Sequence, residues 1–506
     1  MTRPNILLIS ADQHRADCFG FAGRNIKTPN LDELARGGTR FHNCITSNVV
    51  CQPSRASILT GQLCRTHGVH DNGIDLDPEL GEKGFAGTLA KSGYETAFFG
   101  KAHFSTYHTF EPTGTPECVM SSANYDETWF GPYMGFNHVE LMLVGHNWFL
   151  PNKPPHGQHF ERWFYADGKG DEKNRLYNEN AYPTQGAQTW HSKLPEKWHN
   201  TTWTADRTID WLGKQGESPF CAWVSFPDPH HPFDAPLPWS TLHHPDEVDL
   251  PSHRERNFAG RPWWHEAVLT AEPTGDPVHA ETRKAYSRIV PQTDEQLREI
   301  IANTYGMISL IDHHVGRIMK CLKDLQLDEN TIVIFTSDHG DWLGDHGLIL
   351  KGPMHYDGLL KIPMIVNGPG VKPDTVVSAP VSSMDLAATF ADFANTEMDI
   401  KQHGTSLKPL LEDENAGRDF AFNEWELLPT RAGVALSLQT VRTETEKLTV
   451  DLRSGAGEMY DLKEDPFELH NIYDDPDAKD MRKRLEDMIK SRPDDMKSIQ
   501  QQVGQA

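Results

Sequence analysis

Two short apolar runs in distant parts of the chain each end in side chains that bind metal ions. Residues 6–9 (ILLI) are followed by Asp12-Gln13, and residues 331–335 (TIVIF) are followed by Asp338-His339. Runs of this length are typical of buried strands, and parallel sheets gather the carboxyl ends of their strands at one edge. Each pair is either an ordinary cap at a strand end or part of one shared ion site. Because such a pair follows both strands, a shared ion at the edge of a parallel sheet is favoured.

The order of the predicted elements around these strands favours an α/β fold. Residues 28–35 and 85–91 are predicted helices, and residues 94–99 are a predicted strand. A long helix, residues 294–322, has apolar residues at helical spacing just before the second apolar run. This alternation is typical of a large, mixed, mostly parallel sheet with helices on both faces.

Two parts of the chain differ from this pattern. Residues 104–293 hold eleven of the thirteen tryptophans and many Pro, His and Gly residues, and we predict mostly loops that determine specificity, with one helix (203–212) and one strand (220–226). Residues 1–400 are the predicted catalytic domain, and residues 401–506 a small C-terminal α+β module with an antiparallel sheet. Its predicted elements are strands 434–443 and 447–452, a helix 478–491, and a tail beyond residue 493 that is either loose or an oligomer contact.

The charge balance limits the partners of the chain. Its 506 residues include 48 Lys plus Arg and 72 Asp plus Glu, a formal net charge of -24. This excess of acid disfavours nucleic acid and anionic membranes, and an anionic substrate needs a local basic pocket. Only four strongly apolar residues follow one another near the N-terminus, and the seven cysteines are scattered, so we expect a cytoplasmic protein with reduced cysteines. This composition is also compatible with a homo-oligomer.

The segment from Cys51 to Arg55 (CQPSR) places a cysteine, a proline and an arginine at the start of a predicted helix. Free backbone N–H groups and the helix dipole make such a start favourable for an anion. An isolated cysteine is more often a small core residue. The guanidinium group one turn further on favours a functional role for Cys51.

Further candidate side chains follow predicted strands or the second metal-type pair. Lys101 and His103 follow the strand 94–99, His230 follows the strand 220–226, and Lys351 comes a dozen residues after His339. Alone, each is more often a solvated lysine or a structural histidine, but a position at the same sheet edge as Asp12 favours a shared site. The candidates of second rank are Asn72, His231 and His346.

These motifs together resemble the type I sulfatases of the alkaline phosphatase superfamily. The resemblance begins with CQPSR and the following residues 56–61 (ASILTG) and covers most of the chain. The other matching segments are 100–103 (GKAH), 229–233 (PHHPF), 337–340 (SDHG), 343–347 (LGDHG) with Lys351, and 460–466 (YDLKEDP). In that family the cysteine is oxidised to formylglycine, whose hydrated aldehyde is the nucleophile. The resemblance therefore implies an alkaline phosphatase-like fold.

The resemblance also implies a role for each candidate. The implied ligands of one divalent ion, Ca2+ or alternatively Mn2+, are Asp12, Gln13, Asp338, His339 and the modified Cys51. In the family the first pair is usually two acids and the second is usually Asp-Asn. In this chain Gln13 replaces an acid and removes one negative charge, and His339 replaces the asparagine and offers a nitrogen ligand. Lys101 would hold the nucleophile or the sulfate oxygens, and His103 would be the base. The residues implied to bind or neutralise the sulfate, or to assist the leaving oxygen, are Arg55, Asn72, His230 and Lys351.

The function that the resemblance implies is hydrolysis of small sulfate monoesters such as aryl sulfates. A formylglycine-generating maturation enzyme would be a partner. The nearest alternative is a phosphonate monoester or phosphodiester hydrolase of the same superfamily, which also pairs Asp-Gln with Asp-His around a formylglycine. Lys101 and His103 favour the sulfatase, because the sister family has tyrosine and threonine at these places. A more remote alternative is a non-catalytic anion-binding protein that keeps the Cys51 thiol.

Overall fold

The protein is described by a computed structural model that covers residues 3–143 and 151–505. The strands are β1 (Asn5–Ala11), β2 (Thr39–Phe41), β3 (Cys44–Ile45), β4 (Glu95–Lys101), β5 (His138–Met142), β6 (Phe220–Ser225), β7 (Thr331–Ser337), β8 (Met364–Asn367), β9 (Thr375–Val377), β10 (Val381–Ser382), β11 (Ala421–Leu427), β12 (Leu436–Arg442), β13 (Glu446–Asp451) and β14 (Gly457–Asp461). The α-helices are α1 (Pro29–Arg36), α2 (Cys51–Thr60), α3 (Cys64–His67), α4 (Pro78–Glu82), α5 (Phe85–Lys91), α6 (His159–Ala166), α7 (Gly170–Asn178), α8 (Asn200–Leu212), α9 (Trp264–Thr270), α10 (Pro277–Ser287), α11 (Asp294–Asp324), α12 (Asp357–Leu360), α13 (Asp385–Phe393), α14 (Lys408–Glu412), α15 (Pro429–Ala432) and α16 (Lys479–Lys490).

Eight strands form one large sheet. Their order is β5-β4-β6-β1-β7-β8-β2-β9, and all run in the same direction except β8, which is antiparallel to both neighbours. The predicted large, mixed, mostly parallel sheet is therefore confirmed. β1 lies in the middle, where Ser10 pairs with Ser225 of β6 and Ala11 pairs with Ser337 of β7. Because these strands end at the same level, the residues that follow them meet at one edge.

Helices cover both faces of the sheet because side chains alternate along each strand. In β1, Ile6 and Leu8 belong to one apolar cluster with α2, α5 and α13, whereas Leu7 and Ile9 belong to another with α1, α8 and α11. All four side chains are fully buried. The two-residue period of the strand thus gives each face its own core, and these cores hold the sheet edge in place.

The segment 104–293 contains more regular structure than its composition indicates. The predicted helix corresponds to α8 and the predicted strand to β6, but β5, α6, α7, α9 and α10 also lie there. The prediction of one helix and one strand is therefore an underestimate. α10 buries only His279, and α7 buries only Gly170, Lys173 and Tyr177. Helices so poor in buried apolar residues lack the stripe that reveals a helix in a sequence.

A second sheet lies in the C-terminal part of the chain. β11, β12, β13 and β14 form an antiparallel sheet in sequence order, and α16 packs on one of its faces through Leu485 and Ile489. The other face packs through Trp425 and Leu438 against α9 and α12. The predicted antiparallel sheet with a closing helix is confirmed, although β11 and β14 are not among the predicted strands.

The tail that follows α16 folds back over the rest of the chain. The backbone N–H of Val503 donates to the carbonyl of Gly73, and that of Gln505 donates to the carbonyl of His108. The tail is therefore packed, which overturns the alternative that it is loose. A division of the chain at residue 400 stays a prediction. In the parts of the chain that the structure describes, we find no helix that is long and apolar enough to cross a membrane.

Candidate active site

The carboxyl ends of β1 and β7 bring a group of metal-type ligands together. One ligand atom from each of Asp12, Cys51, Asp338 and His339 lies within 4.8 Å of the others, and all four residues are buried. Asp12 and Asp338 are neighbours because their strands pair in register, and Cys51 joins them as the first residue of α2. Two carboxylates, one imidazole and a thiol at such short distances can hold a cation.

Gln13 completes the first of the two pairs. Its backbone has a positive φ of 68° and its N–H donates to Asp338 Oδ1 at 3.1 Å. Its side-chain nitrogen donates to Asp341 Oδ2 at 2.6 Å, whereas its oxygen Oε1 is buried without a hydrogen-bond partner. A buried acceptor without a donor is unfavourable, and a cation beside the two carboxylates would satisfy it. Sequence analysis does not identify Asp341, because no motif separates it from the other acids in its loop.

Arg55 lies beneath this cluster and holds its two carboxylates. Its Nε donates to Asp338 Oδ2 at 2.9 Å and its Nη2 to Asp12 Oδ2 at 3.3 Å, while Nη1 donates to the carbonyl of Lys101 at 2.6 Å. The side chain is fully buried and is not among the residues that line the adjacent cavity. Arg55 is therefore placed to position the carboxylates, not to contact a substrate.

The positive charges around Cys51 favour an anion at its position. Lys351 Nζ lies 3.1 Å from Cys51 Sγ, and Lys101 Nζ lies 4.0 Å from it. Burial raises the pKa of the Cys51 thiol, but Lys101 and Lys351 outweigh burial and lower it to about 5. Burial would also raise the pKa of Asp12, yet Lys101 and Arg55 hold that pKa well below its usual value. Both groups are therefore anionic at neutral pH.

Lys351 connects Cys51 to two histidines. Its Nζ lies 2.9 Å from His230 Nε2 and 3.1 Å from His339 Nε2. The rings of His230 and His231 stack with their centroids 4.0 Å apart. The loop after β6 and the loop after β7 thus meet over Cys51, and they place an imidazole beside an ammonium group.

His103 is a buried imidazole in an unusual backbone position. Its φ is 53°, and both ring nitrogens are buried without a partner among the described residues. Burial, and then the charge of Lys101, lowers the pKa of His103 well below its usual value, so the ring is neutral and can accept a proton. Glu117 holds this turn by accepting hydrogen bonds from the backbone N–H groups of His103, Phe104 and Ser105. No sequence pattern around Glu117 predicts these hydrogen bonds.

A cavity of about 130 Å3 opens onto Cys51. The predicted residues that line it are Cys51, Asn72, Lys101, His103, His230, His231 and Lys351. Residues that sequence analysis misses line it as well, among them Tyr107, His108, Arg283, Tyr286, Arg431 and Gln505. Arg283 and Tyr286 come from α10, a helix without an apolar stripe, and Gln505 comes from the tail. None of these residues belongs to a recognisable motif.

One candidate of second rank lies elsewhere. His346 lines a separate groove together with His253, and its ring stacks on Tyr356 with the centroids 3.7 Å apart. It is therefore not part of the cavity at Cys51. Asn72 lies in the cavity wall, where its Oδ1 accepts a hydrogen bond from the backbone N–H of Gln52 at 3.0 Å.

Replacing Arg55 with alanine is expected to lower the free energy of unfolding by about 3–5 kcal/mol, because two buried carboxylates lose their shared partner. Urea unfolding of the variant and the wild type measures the difference. The matched control is Arg254→Ala, which removes an exposed ion pair with Asp294 and should change the stability little. A loss no larger than that of the control would contradict the anchoring role of Arg55.

A sheet edge with buried metal-type ligands beside a cavity lined by cations is typical of an enzyme that acts on anionic substrates. The family model for Sulfatase matches residues 4–396. A second model, for N-sulphoglucosamine sulphohydrolase, C-terminal, matches residues 344–495. The chain therefore belongs to the sulfatase family and is a sulfuric ester hydrolase.

Relatives support the same fold over nearly the whole chain. The Arylsulfatase of Clostridium perfringens is 28% identical over 494 residues, which cover 94% of this chain and 92% of that protein. The solved structure of the phosphonate monoester hydrolase of Agrobacterium radiobacter has a TM-score of 0.76 at 28% identity and covers 97% of this chain and 95% of that one. The phosphonate monoester hydrolase SpPMH from Silicibacter pomeroyi has a TM-score of 0.77 at 25% identity, with 98% and 96% covered. The predicted alkaline phosphatase-like fold and family are confirmed.

Proposed function

We propose that this sulfatase hydrolyses small sulfate monoesters, such as aryl sulfates, at a formylglycine formed from Cys51. The strongest support is the position of Cys51, whose Sγ atom lies between Lys351 and Lys101 in the cavity wall. This sulfur stands in for the oxygen atoms that the modification would introduce. A sulfate group brought to residue 51 would therefore lie between two ammonium groups, which bind its oxygens by charge-assisted hydrogen bonds.

The buried cluster fits one divalent ion, for which we propose Ca2+, with Mn2+ as the alternative. Proteins of this family generally use a metal ion and a formylglycine. The residues that would hold the ion are Asp12, Gln13, Asp338 and His339. Carboxylate and amide oxygens suit Ca2+, whereas the His339 nitrogen makes Mn2+ a reasonable second choice. When bound, the ion would supply positive charge beside the nucleophile and the developing negative charge of the sulfate.

The other side chains would bind the substrate and move protons. Formylglycine would supply a hydrated aldehyde. A hydroxyl group of this hydrate would be the nucleophile in place of the Cys51 thiol. Lys101 and Lys351 would hold the sulfate oxygens. His230 lies 2.9 Å from Lys351, so this pair can deliver a proton to the leaving oxygen. His103 is neutral and its ring nitrogens are without a protein partner, so it can take up a proton as the base.

We also propose that a formylglycine-generating enzyme converts Cys51 before the chain has folded. Cys51 is only 1% exposed, and every residue of α2 is buried, so a second enzyme could not reach the thiol in the folded protein. A cytoplasmic location is proposed as well. It is supported by the seven cysteines, all of which are free thiols.

Hydrolysis of phosphonate monoesters is the second candidate function. It is favoured by the likeness to two solved phosphonate monoester hydrolases over almost the full length of the chain. Sulfate is favoured by Lys101 and His103, which add a positive charge and a base to the cavity. Both activities would use the same residues around Cys51.

Comparison of 4-nitrophenyl sulfate with 4-nitrophenyl phenylphosphonate tests the proposal, because the two esters share one leaving group. We expect the higher kcat/KM for the sulfate, measured on metal-loaded protein whose Cys51 conversion has been verified by mass spectrometry. A higher value for the phosphonate would assign the chain to the second activity. Absence of turnover with both esters would contradict hydrolysis of aryl sulfates and of phosphonate monoesters alike.

A further inference from the structure

Among the residues that the structure describes, four cationic side chains and no carboxylate line the cavity at Cys51. Three of the four have an evident counter-charge. Lys101 donates to Asp12, and Arg431 Nη1 lies 3.0 Å from Asp71 Oδ1. Lys351 lies against Cys51, where the sulfate would bind. The fourth is Arg283.

Arg283 contacts only neutral acceptors among the residues that the structure describes. Its Nε donates to His279 Nε2 at 3.0 Å, and its Nη2 donates to the backbone carbonyl of Gln505. In the described residues no carboxylate lies within 4.0 Å of its guanidinium nitrogens. Burial, and then the charge of Arg431, lowers the pKa of Arg283 to about 9, so the group is still a cation at neutral pH. Arg283 is half-buried, and the acid whose charge acts on it, Asp71, is paired with Arg431, so a ligand carboxylate would supply a direct counter-charge that no described residue supplies.

Arg283 lines the same cavity as the lysines that flank Cys51, but it comes from α10. Tyr107 lines this cavity too, and its ring lies beside that of His103 with the centroids 5.9 Å apart. A substrate whose sulfate lies at Cys51 would extend its alcohol part past Tyr107 towards Arg283.

We propose that Arg283 is a specificity-determining residue that binds a carboxylate on the alcohol part of the sulfate ester. The planar guanidinium group matches a carboxylate in two parallel hydrogen bonds. The described part of the cavity wall offers four cations and no acid, which disfavours an alcohol with a quaternary ammonium group. This inference rests on the proposed function and names its substrate class.

The test uses two esters of similar size, 4-carboxyphenyl sulfate and 4-carbamoylphenyl sulfate, in which the carboxylate or carboxamide lies at the end of the ring opposite the sulfate. The carboxylate is expected to be preferred over the carboxamide in the wild type, and Arg283→Gln is expected to reduce the ratio of the two kcat/KM values about tenfold or more. Arg283→Lys keeps the charge and should retain part of the preference. The matched control is Lys284→Gln, which removes a charge from the next position of α10, where it pairs with Glu272 and Glu281 outside the cavity. It should leave the ratio unchanged.

An equal loss for both esters in Arg283→Gln would overturn the inference, because a loosened tail or helix lowers both activities alike. Binding of the alcohols gives an answer that does not depend on turnover. Calorimetry should show 4-hydroxybenzoate binding more tightly than 4-hydroxybenzamide to the wild type, and this difference should disappear in Arg283→Gln. If no sulfate ester is hydrolysed although this binding difference is found, the proposed function fails and the carboxylate site stands. If sulfate esters are hydrolysed and the binding difference is absent, only the carboxylate site fails.

Discussion

Replacing Cys51 with alanine is expected to lower the turnover of sulfate esters at least about a thousandfold, because the nucleophile is formed from this side chain and loss of a nucleophile is not compensated by the remaining residues. The binding residues stay in place, since Lys101 and Lys351 are held by contacts of their own with Asp12 and His230. The measurement is kcat/KM for 4-nitrophenyl sulfate in the variant and in the converted wild type.

A second thiol provides the control for this prediction. Cys321 lies on α11 and is partly exposed, so Cys321→Ala removes a thiol far from the ligand cluster and should keep the wild-type rate. Mass spectrometry of the peptide that contains residue 51 shows how much of the wild-type sample has been converted. Retention of more than a few per cent of the activity in Cys51→Ala would disprove the proposed nucleophile.

Asp12→Asn is expected to abolish binding of the divalent ion and to lower turnover about a hundredfold or more. The substitution removes one of two buried carboxylates and leaves Lys101 and Arg55 with less negative charge to balance them. Metal analysis of the purified protein and kcat/KM are measured together. Chelation of the wild type should reproduce the loss of activity, and addition of Ca2+ or Mn2+ should restore it in the wild type only.

Asp345→Asn is the matched control for the metal prediction. Asp345 is a buried carboxylate that is paired with Arg15 at 2.8 Å, and it lies outside the ligand cluster. Both variants lose the charge of a buried ion pair, but only Asp12→Asn should lose the metal. An Asp12→Asn protein that retains a full equivalent of metal, or a chelated wild type that is fully active, would rule out the proposed ion site.

The central part of the site could be predicted because it depends on strand ends. Asp12 and Asp338 follow apolar runs that only a buried strand explains, and parallel pairing then places the two carboxylates side by side. Lys351 and His230 lie in loops, and a family motif locates them better than any local pattern. The predicted strand 94–99 ends two residues too early, because Lys101 still belongs to β4.

The outer part of the site could not be predicted because long-range packing places its residues. Glu117 acts by accepting backbone hydrogen bonds, which leave no trace in its own sequence. Arg283 lies on a polar helix that has no hydrophobic period, and a carbonyl of the tail fixes its guanidinium group. His346 is the opposite case. It belongs to a matching motif close in sequence to Lys351, but its ring stacks on Tyr356 and lies outside the cavity at Cys51.

The packed tail forms part of the cavity wall without belonging to the central sheet. The backbone N–H of Gln500 donates to His70 Nε2 across 430 positions of the chain. The ligand cluster is held by the paired strands of the central sheet, whereas the wall that contains Gln505 is held by contacts of the tail such as this one. Release of the tail would thus widen the mouth of the cavity while the core stays folded, so substrate entry and global unfolding can proceed with separate free energies.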